Sequence, residues 1–98
     1  MAKQIVWTSR ALKNFDSVVK YLEEDWSEDV TIAFIKRTYE IIELLAIHPT
    51  LGTLEEKKRN IRGFLLTKHN RIFYRITANK LVILNVFDTR QNGRRKKH

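Results

Sequence analysis

The sequence predicts an α+β domain in the order β-α-α-β-β-β, a helical hairpin packed on an antiparallel sheet. Three observations predict it. Two stretches before Pro49 carry apolar residues at helical steps of three and four. Three β-prone runs follow, divided by the turn dipeptides "HN" and "AN", and one short β-prone run precedes the first helix.

The first run is "QIVWT", after which Thr8 or Ser9 suits the N-cap of a helix. Leu12, Phe15, Val19, Leu22 and Trp26 fall on one helical face, with Lys13, Asp16, Lys20 and Glu23 opposite. "WSEDV" offers Ser27 as a second N-cap, and Glu28 and Asp29 in the first turn favour the positive end of the helix dipole. The second helix runs to about His48, with Val30, Phe34, Ile41, Ile42 and Leu45 as its apolar stripe, and Pro49 stops it. "TLEEKKRN" reads as a polar, mobile loop. Strands are expected over about 61–68, 71–77 and 80–87, and the last, "KLVILNVF", is apolar enough to be covered on both faces. The N-terminal strand is expected to join the same sheet.

At 98 residues the chain reads as one domain, residues 1–89 forming the folded body and 90–98 a basic C-terminal tail. The absence of cysteine excludes thiol nucleophiles, Cys-ligated zinc and disulfide frameworks, and fits a reducing cytoplasm. The apolar stretch "IIELLAI" is short and broken by Glu43, so neither a signal peptide nor a membrane span is expected. His48, His69 and His98 are too dispersed for metal-ligand spacing, and Gly52, Gly63 and Gly93 form no phosphate loop. No metal or cofactor is expected. Glu23, Glu24, Asp25, Glu28 and Asp29 read as a solvated interhelical turn rather than a catalytic carboxylate pair.

The net charge of +8 is unevenly placed. Residues 1–60 hold 9 Lys and Arg against 10 Asp and Glu, whereas residues 61–98 hold 10 against the single Asp88. A one-signed C-terminal third favours an anionic partner. The centre of that region is "TKHNRIFYRIT", where strand alternation sends Ile72, Tyr74 and Ile76 to one face and Arg71, Phe73 and Arg75 to the other. If the apolar set packs on the helices, the arginines line the open face with Phe73, an exposed aromatic in want of a partner. Tyr74 is then core rather than catalytic. In the preceding strand, Arg62 and Phe64 share one parity and Gly63 and Leu65 the other; the pattern leaves open which set faces outward. Arg90 follows the last strand and is placed to curl over the same surface. The plain alternative is that these arginines are solvent-facing strand residues that blunt the sheet.

The hairpin ending "LLAIHPTLG", followed by "IRGFLLTKHNRIFYRITANKLVILNVFDTRQN", resembles the RelE/ParE superfamily of type II toxin–antitoxin toxins. The resemblance runs from "IVWTSRALKNF" to "DTRQN" and rests on the order of "P..G", "R.F", "NRIFYRI" and "VF..R". It implies the same element order, a growth-inhibitory, plasmid-stabilisation type of toxin, and a cognate antitoxin that wraps and neutralises it. Members divide between ParE-type poisons of DNA gyrase and RelE-type nucleases that cleave mRNA on the ribosome. In the nucleases, basic residues surround the scissile phosphate, and Arg62, Arg71 and Arg90 stand at similar positions; any such activity would be that of a metal-independent endoribonuclease.

The resemblance thus implies Arg62, Arg71 and Arg90 as catalytic candidates, and Arg71, Phe73, Arg75 and Arg90 as the antitoxin- or target-binding set. No tyrosine follows Tyr74, and guanidinium groups stay protonated at neutral pH, so a proton shuttle is missing. Asp88 is the remaining acid there, and it reads as a partner of Arg90 or a cap of the strand end. The expectation is therefore a ParE-like toxin acting on DNA gyrase, with an mRNA interferase acting on the ribosome as the alternative.

Overall fold

Two hydroxyl side chains start the helices. Thr8 Oγ1 accepts from the Ala11 N–H at 3.0 Å and Ser27 Oγ from the Val30 N–H at 3.2 Å, satisfying amides that the first turn leaves free. The computed structural model describes residues 2–91. It contains strand β1 (Gln4–Trp7), helices α1 (Ser9–Asp25) and α2 (Glu28–Ile47), and strands β2 (Thr53–Glu56), β3 (Ile61–Leu65), β4 (Asn70–Ile76) and β5 (Lys80–Asp88). Pro49 opens a single 3-10 turn, Pro49–Leu51, that ends the helical layer. Of the expected tail, only Arg90 and Gln91 fall among the described residues; Gly93, "RRKK" and His98 lie outside them.

The strands form one sheet in the order β1-β5-β4-β3-β2. The expected meander is β3-β4-β5, antiparallel throughout. β1 joins it as expected, but parallel to β5, so the sheet is mixed rather than wholly antiparallel. Between β1 and the meander the chain passes through two helices, the kind of long connection that parallel neighbours need.

"TLEEKKRN" is the second correction. Its first half is strand β2, paired with β3 through Thr53↔Gly63, Leu54↔Arg62 and Glu56↔Ile61. Asn60, with φ 53°, takes the left-handed conformation that the reversal into β3 requires. Charged edge strands lack hydrophobic alternation, which is why this one read as a loop.

The core lies between helices and sheet. Val18 and Leu22 of α1, Phe34, Ile42 and Leu45 of α2, and Ile72, Tyr74, Leu81, Ile83 and Val86 of the sheet are its buried residues. The α1 stripe is turned from the expected one: Ala11, Val18 and Leu22 are buried, whereas Leu12 and Trp26 are about half exposed, at 52% and 50%. Helix α2 buries Thr38 among its apolar residues, and the hydroxyl is satisfied by donating to the Phe34 carbonyl at 2.7 Å.

Candidate functional site

Alternation along β4 places its residues as expected: Ile72 and Tyr74 lie in the core beneath the helices, and Ile76 packs against it. Arg71, Phe73 and Arg75 therefore take the opposite face. Their cross-strand partners there are Leu65, Gly63 and Ile61 of β3.

Phe73 is not the exposed aromatic that the alternation suggested. It is 3% exposed, because its ring stacks on Phe87 of β5 at 5.7 Å and lies against Gly63, which offers no side chain of its own. The Arg71 guanidinium covers the ring, 5.2 Å from its centroid. A Cβ on Gly63 would stand 2.7 Å from Arg71 Nη2 and 2.9 Å from Phe73, so glycine at that position makes room for both. Arg71 Nη2 also meets Glu55 Oε2 at 3.4 Å. Glu55 is the member of this candidate site that the sequence pattern did not reveal. Its signal is the acidic "EE" directly before "KKR", legible only once β2 is known to lie beside β3. Arg75, farther along the strand, is exposed.

Arg62 is on the other face. It pairs with Tyr74 across β3 and β4, and its Nη1 donates to the Gly52 carbonyl at 2.8 Å, pinning the 3-10 turn to the sheet. Its Nε is buried without a partner among the described residues. Tyr74 holds the same turn, its hydroxyl donating to the Pro49 carbonyl at 2.6 Å and accepting from the Gly52 N–H at 2.9 Å. Burial pushes the Tyr74 phenol above its usual pKa, against the opposing pull of the Gly52 amide and the Arg62 charge.

Arg90 turns toward the helices instead of over the open face. Its guanidinium lies 4.4 Å from the Trp26 ring at the end of α1. It grips Asp88 in a fork, Nε to Oδ1 at 3.0 Å and Nη2 to Oδ2 at 2.7 Å, and its amide donates to Oδ1 at 2.7 Å. Asn70 adds a further bond to Asp88 Oδ2 at 2.6 Å. Burial works to raise the Asp88 carboxyl, but the bonds from Arg90 and Asn70 and the Arg90 charge outweigh it, so the acid lies below its usual pKa. Asp88 thus does what its position after the last strand suggested: it pairs with Arg90.

The three catalytic candidates are consequently not gathered around one point. Arg62 serves the helical face, Arg90 is committed to Asp88 and Trp26, and Arg71 alone stands on the open face, beside a groove of about 410 Å³. There Arg71 and Glu55 are a partly exposed cation and carboxylate in reach of an incoming group. Among the described residues, no three His, Asp or Glu side chains gather to hold a metal ion, and no helix is long and apolar enough to cross a membrane.

Two helices on one five-stranded mixed sheet is the architecture of the RelE/ParE-like toxins. A chain of the chromosomal ParDE toxin–antitoxin system from P. aeruginosa matches with TM-score 0.73 and 14% identity, over 89% of this chain and 96% of that one. A chain of the RelBE2 toxin–antitoxin complex from Mycobacterium tuberculosis matches with TM-score 0.62 and 15% identity, over 90% and 99%. A mutant of the E. coli toxin RelE in the free state gives 0.63 and 12%, over 95% and 90%. Identities this low speak of fold alone, and both toxin kinds are represented. A search of the curated proteins finds no match. The family model of the ParE toxin of the type II toxin–antitoxin system parDE matches residues 5–93, and the chain belongs to that family.

Proposed function

We propose that this type II toxin arrests growth by binding a protein target, DNA gyrase, rather than by cutting RNA, and that a cognate antitoxin neutralises it by docking on the Arg71–Arg75 face. The observation that carries this reading is the dispersal of Arg62, Arg71 and Arg90. Phosphodiester cleavage by these arginines would require them to converge on one phosphate, with a base and an acid beside them. Here Arg62 is spent on the Gly52 carbonyl and Arg90 on Asp88. Tyr74 is buried beneath the helical layer, and Asp88 is held ionised in its fork, so neither is placed to move a proton. What remains on the open face is a surface for an anionic or apolar partner. Membership of the ParE family points the same way.

One observation favours the ribosome-dependent mRNA endonuclease as the second reading: the Glu55 carboxylate beside Arg71 is a base paired with a cation. Mapping message ends on translating ribosomes separates the two. The expected result is no new ends at a toxin concentration that arrests growth. Site-specific ends that vanish in both Glu55→Gln and Arg71→Ala would reverse the assignment.

A further inference from the structure

Edge strand β2 carries one irregularity, and it falls on Glu55. The pairing runs Leu54↔Arg62 and then Glu56↔Ile61, so Glu55 is the extra residue of a bulge. A bulge leaves its residue unpaired in the ladder and re-aims the side chain. Here it delivers Oε2 to 3.4 Å from Arg71 Nη2. The cradle around that contact is built from both sides. Phe73 lies under the guanidinium, and a Cβ on Gly63 would stand only 3.1 Å from Glu55 Oε2 and 2.7 Å from Arg71 Nη2. The arginine thus lies over the Phe73 ring with Nη2 near one carboxylate.

The pair is partly exposed, at 34% and 25% for the two side chains, and an ion pair of that kind exchanges partners at small cost. The groove beside it is walled by Leu51, Thr53, Gly63, Phe64 and Leu65, mostly apolar apart from Arg71 itself. An RNA phosphodiester would set its charges against those apolar walls. Arg75 lies four residues farther along the same face, its Cα about 13 Å away at strand rise. That separation suits carboxylates four residues apart on one face of an extended peptide rather than a single phosphate.

We propose that Arg71 is a carboxylate seat for an acidic, aliphatic peptide, and that Glu55 is its internal occupant, displaced when the peptide docks. The inference rests on the reading above in one respect: the peptide is a segment of the antitoxin. Glu55 then sets the affinity of the complex by competing for the seat.

The test is a double-mutant cycle on the whole chain, read by fluorescence anisotropy with a labelled eight-residue peptide of alternating Glu and Leu, at low salt. Glu55→Gln is expected to bind about two- to fivefold more tightly, the range that an exposed ion pair allows. Arg71→Gln should weaken binding, and adding Glu55→Gln to it should restore nothing. Far-ultraviolet spectra matching the parent confirm that all three variants are folded. No gain in Glu55→Gln overturns the proposal, and so does an equal gain with Arg71 absent, which would mean only long-range charge. A labelled octanucleotide of uridine gaining more than the peptide would show a phosphate seat and overturn it too. Neutralisation in cells keeps the two claims apart. If the antitoxin complex weakens on Arg71→Gln while Glu55→Gln changes nothing, the exchange fails and the docking face stands. If Arg71→Gln leaves neutralisation untouched, the docking face itself fails.

Discussion

At the scale of single residues, Gly52 and Tyr74 couple the end of the helical layer to the sheet. Gly52 has an ordinary extended backbone, so its need is space: a Cβ would press on the Tyr74 hydroxyl and stand 2.8 Å from the Gly63 carbonyl. Gly52→Ala should cost about 1–3 kcal/mol by overpacking. Tyr74→Phe should cost a similar amount, roughly 1–3 kcal/mol, by orphaning the Gly52 N–H and Pro49 carbonyl. Urea unfolding of the double variant should show less than the sum, because the hydroxyl that clashes is the one already removed. Asp88 gives the pH dependence. Its folded pKa lies below the unfolded value, so its contribution is present at neutral pH and is lost as pH falls through the folded value. Asp88→Asn should therefore lose roughly 2 kcal/mol at pH 7 and converge with the parent in acid, as followed by unfolding across pH.

At the scale of elements, both helices were legible because their starts and stops are chemical. Ser27 caps α2 as read, and Thr8, rather than Ser9, caps α1. Thr8 also donates to the Ile83 carbonyl at 2.9 Å, tying the helix start to β5. Thr8→Ala should thus cost more than Ser27→Ala, about 2 against about 1 kcal/mol in thermal or urea unfolding. The β2 strand was not legible, since a four-residue polar edge carries no periodicity of its own. The faces of β4 followed from alternation, as did the packing of Ile72 and Tyr74 beneath the helices, but the fate of Phe73 on the other face did not. Phe73 is buried by Phe87 across the sheet, in a register no local pattern reveals, and by Arg71 two residues earlier on its own strand.

At the scale of the whole molecule, the order of elements, apart from β2, and the family were legible, and the arrangement of the site was not. Arg62, Arg71 and Arg90 look equivalent along the chain. The sheet assigns them to a turn staple, an open face and a carboxylate fork, because parity in β3 opposes Arg62 to Arg71 and Asp88 turns Arg90 aside. Likewise the carboxylate that meets Arg71 comes from the one strand that escaped notice. Among the described residues, the basic C-terminal region places Arg71 and Arg75 on one face of the sheet, and on the function proposed above that face belongs to a protein-binding toxin. The most direct measurement is a supercoiling assay with purified DNA gyrase and the full chain at micromolar concentration. Supercoiling is expected to be inhibited and gyrase–DNA cleavage complexes to accumulate, both effects reversed by the antitoxin. Unchanged supercoiling with no cleavage complexes would contradict the proposed function.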